Sequence, residues 1–473
     1  MNIKKIFGNF SVALISQLIA LAGNVVTTLV VPKMMGVAEF GYWQLFMFYI
    51  GYVCFFNLGL NDGVYLHNGG LSREGLDKRS INSQFVVGIA YQSLFAVVII
   101  VSSVLVGINE KRLFVILMTV AYLIITNCAS FIGYLLQAID ETRRYSFYCA
   151  INGFLFFVPL VALLLFRVSH FELYVVFYTF AHLLSLLLCL WWVRDFLPYG
   201  IEPLALAIKD TRRSICSGIK VMFASIAGMV ILGASRFVAD MMWDIQTFGM
   251  LSFALSMTSF FLIFAQQASM VLFPALRKAG VGETVRFFKF SRDLLDVLLP
   301  VVYVLFFPAI IFINRWLPEY QSSFIYFAFL LPVAVYNGKQ SVIGNTYLLV
   351  LRQEGMLFKV NIIAALISVV GALIGGFIFH SLLVMIIFAD IAIVWRYVYV
   401  ERLLEREFSV SANNMRVISI AFGVIFLFYY SVLPRIEAFI LTFFLYILFL
   451  LLSRKLIAQI VSFRQKNSLF SQE

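Results

Sequence analysis

The sequence reads MMGVAEFG from Met34 to Gly41, in a short polar break between its first two long apolar segments. Near the middle of the chain a second Met-Met pair again precedes a Phe-Gly pair, Phe248-Gly249, which lies 208 positions after Phe40-Gly41. This second break also separates two long apolar segments. The recurrence indicates that the chain contains two copies of one structural unit.

A second pair of residues also recurs in the sequence, at nearly the same spacing. Arg143 and Asn152 follow the fourth apolar segment, and Arg352 and Asn361 follow the tenth, 209 positions further on. Two echoes at one offset predict a duplicated unit of six membrane spans. In membrane proteins built in this way, a cavity between the two halves is the usual place where cargo binds.

The composition is typical of a membrane protein. Of the 473 residues 62% are hydrophobic and only 12% are charged, and the mean hydropathy is +0.97. Soluble globular proteins carry about 25% charged residues. Apolar runs of about 20 residues, long enough to cross a hydrocarbon core of about 30 Å, recur along the whole sequence. We therefore predict an all-α polytopic membrane protein.

The apolar runs predict fourteen membrane-spanning helices. Their predicted ranges are 10–31, 40–60, 82–106, 113–137, 147–166, 172–193, 217–240, 247–273, 294–313, 322–349, 358–379, 381–400, 415–433 and 437–452. The boundary between the eleventh and the twelfth span is marked only by His380 and Ser381.

The basic residues of the predicted loops set the orientation. With a cytoplasmic N-terminus, 27 Lys and Arg residues lie on the cytoplasmic side, Arg396 among them, and 6 lie on the outer side. The positive-inside rule then places both termini in the cytoplasm, as an even number of spans requires. The net charge of +11 is mostly this topology signal. It indicates contact with anionic lipid headgroups and not with nucleic acid.

The duplication and the loops divide the chain into four predicted parts. These are an N-terminal six-helix lobe over 1–193, a cytoplasmic amphipathic linker over 194–216, a C-terminal six-helix lobe over 217–400, and two additional helices with a cytoplasmic tail over 401–473. The linker is expected to lie at the membrane surface. Because the predicted outer loops are short, we expect the activity to lie within the bilayer.

Arg236 is one of the two cations that are assigned to neither side of the membrane and lie inside a predicted span. An Arg or Lys at the bilayer centre costs about 2.5–3.5 kcal/mol to insert, and it usually faces a partner or a water-filled cavity. Asp240 follows Arg236 at i+4 in the seventh span. Either the two residues neutralise each other within the helix, or Arg236 is a cationic site that faces a central cavity.

Lys339 is the second such cation. It lies in the tenth span within Tyr336-Asn337-Gly338-Lys339-Gln340, where Pro332 and Gly338 favour a kink. No carboxylate lies within one helical turn of it. Lys339 therefore needs a partner from elsewhere in the chain or an anionic ligand, unless it snorkels toward the cytoplasmic face. Of the two cations, Lys339 is the better candidate for ligand binding.

Asp390 interrupts the twelfth span. It is either a proton or cation site, or the structural partner of Lys339 or of Arg396. The residues alone do not separate these two interpretations.

Polar residues of the first two spans also have two interpretations. Gln17 and Asn24 share one face of the first span, where they either hold helices together or line a cavity. Asp62 closes the second span, either as a helix-end residue at the interface or as a charged site.

Several short motifs occur in an order that resembles one known family. Pro32–Tyr42 is similar to the signature P-x-x-LG-x-x-x-FG-x-Y, and Asn57–Gly63 is similar to F-x-LGL-x-x-G. Trp316–Tyr320 looks like the outer loop before a tenth span, and Ser235-Arg236 occupies an Asp-Arg position. The family is the Wzx-type oligosaccharide flippases of the multidrug/oligosaccharidyl-lipid/polysaccharide exporter superfamily. The chain departs from it at Ser235, for which Asp240 is the substitute acid, and the resemblance covers about the first 400 residues.

The resemblance implies two six-helix lobes that form a V around a cavity with alternating access. It implies a flippase, and not an enzyme, that moves undecaprenyl-pyrophosphate-linked sugar repeat units across the bacterial inner membrane for surface polysaccharide or O-antigen biosynthesis. The polysaccharide polymerase and the chain-length machinery are the protein partners that it implies.

The predicted site residues suit such a substrate. A pyrophosphate needs cations where water is scarce, and Arg236 and Lys339 supply them. Sugars need amide, hydroxyl and aromatic partners, for which the candidates are Gln17, Asn24, Tyr336, Asn337 and Gln340. The candidates for charge pairing or ion coupling are Asp240, Asp390 and Asp62.

No metal or organic cofactor is expected. The five cysteines form no close pairs and are interpreted as small core residues. Coupling of transport to Na⁺ or H⁺ stays open at this stage.

Two other functions compete with a flippase. A drug exporter of the same superfamily, driven by a cation, needs acidic residues in its cavity, whereas the charge inside these spans leans toward basic residues. A membrane glycan polymerase or ligase usually carries its catalytic groups in a sizeable outer loop, and the predicted outer loops here are short.

Overall fold

The computed structural model describes residues 23–278, 280–412, 415–454 and 456–457. Within these residues the chain forms helices and no strands. The α-helices are α1 Val31–Ile50, α2 Leu60–Asn68, α3 Lys78–Leu105, α4 Glu110–Ala138, α5 Thr142–Leu165, α6 Phe171–Trp192, α7 Leu204–Met242, α8 Ile245–Lys278, α9 Val281–Leu298, α10 Val301–Trp316, α11 Phe324–Phe329, α12 Leu331–Lys339, α13 Thr346–Val350, α14 Glu354–Leu373, α15 Leu382–Glu407, α16 Met415–Val432 and α17 Arg435–Leu452.

The described residues contain eleven helices that are long and apolar enough to cross a membrane, or twelve if one bent pair is counted as a span. The eleven correspond to eleven of the fourteen predicted spans. The bent pair, Gly23–Asn57 with Leu60–Asn68, contains the predicted second span. Most of the predicted first span, and Gln17 with it, lies outside the described residues, as do both termini.

The predicted tenth span consists of several short helical pieces. Leu330 separates α11 from α12, because Pro332 at the second position of α12 cannot donate a backbone hydrogen bond. A π-helix, Gln340–Asn345, then separates α12 from α13. The kink that the sequence predicts near Pro332 is therefore present, and no single piece is long enough to span the bilayer.

The chain forms two compact units. The first unit runs to Ile226 and includes Asp244–Gly249, and the second comprises Ala227–Trp243 and the chain from Met250 onward. Helix α7 continues without interruption through residue 216, where the predicted linker ends. The preceding part of the linker forms the 3₁₀-helix Arg194–Tyr199.

The Phe-Gly pairs lie side by side in the first unit. Gly36 has a φ of 72° and joins two helices within the segment that is named α1. Phe40 and Phe248 are buried, and a Cβ atom built on Gly249 would lie 3.0 Å from the Cα atom of Gly41. Glycine is needed at this contact because the two backbones approach too closely for side chains.

The predicted second span is broken, which corrects the continuous helix expected over 40–60. Helix α1 ends at Ile50, a 3₁₀-helix covers Val53–Asn57, and Leu58 and Gly59 adopt left-handed conformations. Helix α2 then continues at an angle of 53°. Asp62 lies in the first turn of α2 and so does not close the span.

Candidate functional site

The helix break in the first unit is a neutral polar centre. Asn127 on α4 donates from Nδ2 to the Val53 carbonyl at 3.0 Å, and the Tyr91 hydroxyl on α3 donates to the Asn57 carbonyl at 2.7 Å. The Asn57 side chain accepts from the Gly59 N–H at 2.7 Å. A backbone group left unpaired inside a bilayer costs several kcal/mol, so these contacts allow the helix to break there.

Small residues bring α2 and α7 into backbone contact beside this break. A Cβ atom built on Gly63 would clash with the Ser214 carbonyl, and one built on Gly218 would clash with the Gly59 carbonyl. Gly59-x-x-x-Gly63 and Ser214-x-x-x-Gly218 are thus facing pairs of small residues at helical spacing, an arrangement that lets membrane helices pack closely.

A polar cavity of about 200 Å³ lies between the C-terminal end of α2, the N-terminal end of α3 and α7. Ser80 donates to Asp210 at 2.7 Å, and Ser214 donates to Gln84 at 2.7 Å. His67 also lines the cavity and lies 3.1 Å from the Ser217 hydroxyl. Four of the lining residues, Ser80, Asp210, Ser214 and Gln84, thus have partners within the unit.

Lys339, in the second unit, has a carboxylate partner. Its ammonium donates to Asp296 Oδ1 at 2.7 Å and to the Ser419 hydroxyl at 3.2 Å, and the side chains of Lys339 and Asp296 are each 1% exposed. The rings of Tyr336 and Tyr397 lie 5.1 and 5.6 Å from the Lys339 nitrogen. The charge of Lys339 is therefore compensated inside the protein, by an acid 43 positions earlier in the chain.

More buried ion pairs connect the ends of α9, α15 and α16. Arg416 contacts Glu401 at 2.5 Å and Glu405 at 2.6 Å. Arg292 contacts Glu405 at 3.0 Å and its neighbour Asp293 at 3.0 Å. Within the second unit, these pairs join α16, the first of the two additional helices, to α15 and α9. The sequence interpretation missed them, although the i, i+4 spacing of Glu401 and Glu405 was a visible signal.

Arg396 lies inside α15 and is 8% exposed, which differs from its assignment to the basic cytoplasmic side. It donates from Nη1 to Asn361 Oδ1 at 3.3 Å and from Nη2 to Asn337 Oδ1. Asn337, predicted to contact sugar, is thus a partner of this guanidinium.

Asp390 is the partner of neither nearby cation, which corrects one interpretation of it. Lys339 pairs with Asp296, and Arg396 bonds to two amides. Asp390 is 8% exposed, and its Oδ1 atom accepts no hydrogen bond within the described residues.

The remaining predicted site residues do not form one cluster with Lys339. Arg236 is half-buried and donates from Nη2 to Ser252 at 3.1 Å, and Asp240 is buried one turn later on α7. Gln340 is fully buried and donates to Asn345 at 3.1 Å. Asn24 is exposed near the start of the described residues.

One group of side chains has the composition of a metal site. Ligand atoms of Glu39, His170 and Glu172 lie within 4.8 Å of one another. Glu39 already accepts a hydrogen bond from the Lys111 ammonium and one from the Phe171 N–H. Because the ammonium supplies the positive charge at this carboxylate, a cation is not required there.

Comparison with known proteins gives a family and a fold. Residues 3–279 match the profile of a protein family described as polysaccharide biosynthesis protein. The structure is similar to that of the lipid II flippase MurJ in an inward closed conformation, with a TM-score of 0.62 over 94% of this chain and 98% of that chain at 11% identity. No curated protein sequence gives a significant match.

A second similar structure is an inward-facing conformation of a multidrug resistance MATE family transporter of the MOP superfamily. Its TM-score is 0.52 over 83% of this chain and 95% of that chain, at 13% identity. At such identities the likeness concerns the fold alone. The predicted fold class, an all-α polytopic membrane protein, is confirmed.

Proposed function

The chain belongs to the polysaccharide biosynthesis protein family, and on this premise we propose that it is a Wzx-type flippase. It moves undecaprenyl-pyrophosphate-linked sugar repeat units across the bacterial inner membrane by alternating access, and it makes or breaks no covalent bond. The family match over residues 3–279 carries the proposal. The fold, which a lipid II flippase also has, supports it.

The buried polar groups of the second unit suit this substrate. A lipid-linked oligosaccharide brings a pyrophosphate and several hydroxyl groups to a region of low dielectric constant, where cationic donors bind phosphate strongly. Arg236 and Asn337 are half-buried, so among the predicted contact residues of the second unit they are the ones that a ligand reaches most directly. Lys339, Tyr336 and Gln340 are buried, so in this conformation they pack beneath the site and do not contact the substrate directly.

The other parts of the proposal follow from the same function. Anionic lipids surround the basic cytoplasmic side, and the polymerase and chain-length machinery receive the product. A gradient of Na⁺ or H⁺ drives the cycle, with Asp240, Asp390 and Asp62 as candidate ion-coupling residues. Asp390 fits this role best, because it is a buried acid whose Oδ1 atom has no partner among the described residues.

The decisive test is reconstitution. Purified protein in liposomes should move a fluorescent undecaprenyl-pyrophosphate-linked sugar to the opposite leaflet, where an impermeant quencher reaches it. Protein-free liposomes are the control. A protein that leaves this lipid in place but exports a cationic dye along an ion gradient is a drug exporter. The formation of longer glycans in the same liposomes indicates a polymerase. Either result contradicts the proposal.

A further inference from the structure

Arg396 differs from the other buried cations of the second unit. Arg292, Lys339 and Arg416 each contact at least one carboxylate. Within the described residues Arg396 makes no ion pair, and its only hydrogen bonds are to the amide oxygens of Asn337 and Asn361. Its Nε–H group has no partner there. A buried charge without a counter-charge is unfavourable, so its presence calls for an anion from outside the chain.

The two asparagines orient the guanidinium and add donors. A guanidinium can only donate, so the atoms that face it are the amide oxygens and the Nδ2 groups point away from it. Neither Nδ2 group donates to another described residue. The site therefore contains the buried Nε–H of Arg396 and two amide NH₂ groups, and all of these are donors.

A ligand can approach this site at the two amides. Arg396 is buried, but Asn337 and Asn361 are half-buried. On the side of α7, a Cβ atom built on Gly228 would meet only the Asn361 Nδ2 atom, at 3.9 Å. Because Gly228 has no side chain, the space between α7 and the Asn361 amide is open.

We propose that Arg396, Asn337 and Asn361 form a binding site for a phosphate group. A guanidinium with flanking amide donors matches the acceptor oxygens of a phosphate, whereas sugars offer donors as well as acceptors. The inference rests on the proposed function where it names the pyrophosphate of the lipid-linked substrate as the source of this group.

The test measures thermal unfolding of the full-length protein in a nonionic detergent with four compounds. These are undecaprenyl pyrophosphate, uncharged undecaprenol, phosphatidylglycerol and inorganic pyrophosphate. Undecaprenyl pyrophosphate should raise the Tm of the wild type by a few degrees, because a ligand stabilises the state that binds it. Undecaprenol should have little effect, and the phosphate compound that acts at the lowest concentration identifies the source.

Three variants separate binding from folding. Arg396→Gln should abolish the shift in Tm, and its own Tm without ligand should equal or exceed that of the wild type, because an uncompensated charge has been removed. Arg402→Gln, an exposed arginine on the same helix, should keep the shift. Gly228→Leu should abolish the shift in Tm, because its side chain fills the space beside the Asn361 amide while the guanidinium stays in place. This variant also tests the site if Arg396→Gln does not fold.

An equal shift in the wild type and in Arg396→Gln, or in the wild type and in Gly228→Leu, would overturn the site. Reconstituted Arg396→Gln should flip the lipid at least about 10-fold more slowly than Arg402→Gln. If the wild type flips the lipid and Arg396→Gln does so equally well, the site fails and the function stands. If the wild type shows the Arg396-dependent shift but no flipping, the site stands and the function fails.

Discussion

The two units bury polar groups of different kinds. In the first unit these are amides and hydroxyls, which satisfy backbone carbonyls at a helix break. The second unit buries charges as well as neutral groups, and cations on α9, α12 and α16 are matched by carboxylates. Neutral groups can break a helix at moderate cost, whereas a buried charge needs a counter-charge. This difference sets Arg396 apart, since among the described residues it contacts two amides and no carboxylate.

The largest effect is expected from Lys339→Met. It removes the ammonium that compensates the Asp296 carboxylate, at a site where both side chains are 1% exposed. Loss of one partner of a buried ion pair destabilises a protein by about 3–5 kcal/mol. The free energy of unfolding in mixed micelles should fall by this amount.

The double variant Lys339→Met with Asp296→Leu is the control for that prediction. It removes both charges, so it should recover most of the lost stability. A double variant as unstable as Lys339→Met would mean that Lys339 acts through packing alone, and the contrast between charged and neutral units would lose its main support.

The second largest loss of stability is expected where two backbones pack against each other in the first unit. Gly218→Leu places a side chain where the Gly59 carbonyl lies. Overpacking costs about 1–3 kcal/mol, and this contact with backbone should reach the upper part of that range. Gly153→Leu is the matched control, because Gly153 is an exposed helical glycine on α5 with nothing within 4 Å of a built Cβ atom. Equal unfolding free energies for the two variants would show that α2 and α7 do not depend on this contact.

A smaller loss is expected at the neutral centre from Asn127→Leu. Asn127 is 2% exposed, and its side chain donates to the Val53 carbonyl. Its backbone carbonyl, which the variant keeps, accepts from Asn61 at 3.3 Å. The variant leaves a buried carbonyl unpaired, which costs about 1–3 kcal/mol. The loss should be smaller than that of Lys339→Met in the same assay. An equal or larger loss would remove the distinction between the two kinds of polar centre.

The sequence predicted the membrane helices well, because a run of apolar residues is a local signal. Eleven predicted spans have counterparts, and the turn at His380 and Ser381 is present. The break before α2 escaped prediction, since the groups that stabilise it, Tyr91 and Asn127, lie on other helices.

The candidate site was harder to predict for the same reason. The sequence showed that Lys339 needs a partner but not which one, although Asp296 falls within a predicted span. Arg396 was counted with the basic cytoplasmic residues because its burial depends on how α12, α14 and α15 pack. Residue type and spacing therefore identified charges inside the membrane, and only the packing showed which of them are compensated.

The smallest effect on stability is expected in a charged cluster of the first unit that lies outside the membrane-spanning helices. Asp195 contacts Arg73 and lies 3.1 Å from the Lys78 nitrogen. The hydrogen bond from Arg73, followed by the contact with Lys78, lowers the pKa of Asp195 from 3.8 to about 2. The stability that depends on this carboxylate is thus present above about pH 4 and is lost as the pH falls toward 2. Because the Asp195 side chain is 41% exposed, the effect should stay below about 1 kcal/mol.

Asp195→Asn should have a slightly lower Tm than the wild type at pH 6 and the same Tm at pH 2. A difference in Tm that does not change with pH would show that the charge of Asp195 contributes nothing. A difference as large as that of Lys339→Met would show that burial is not what separates the charges of the two units.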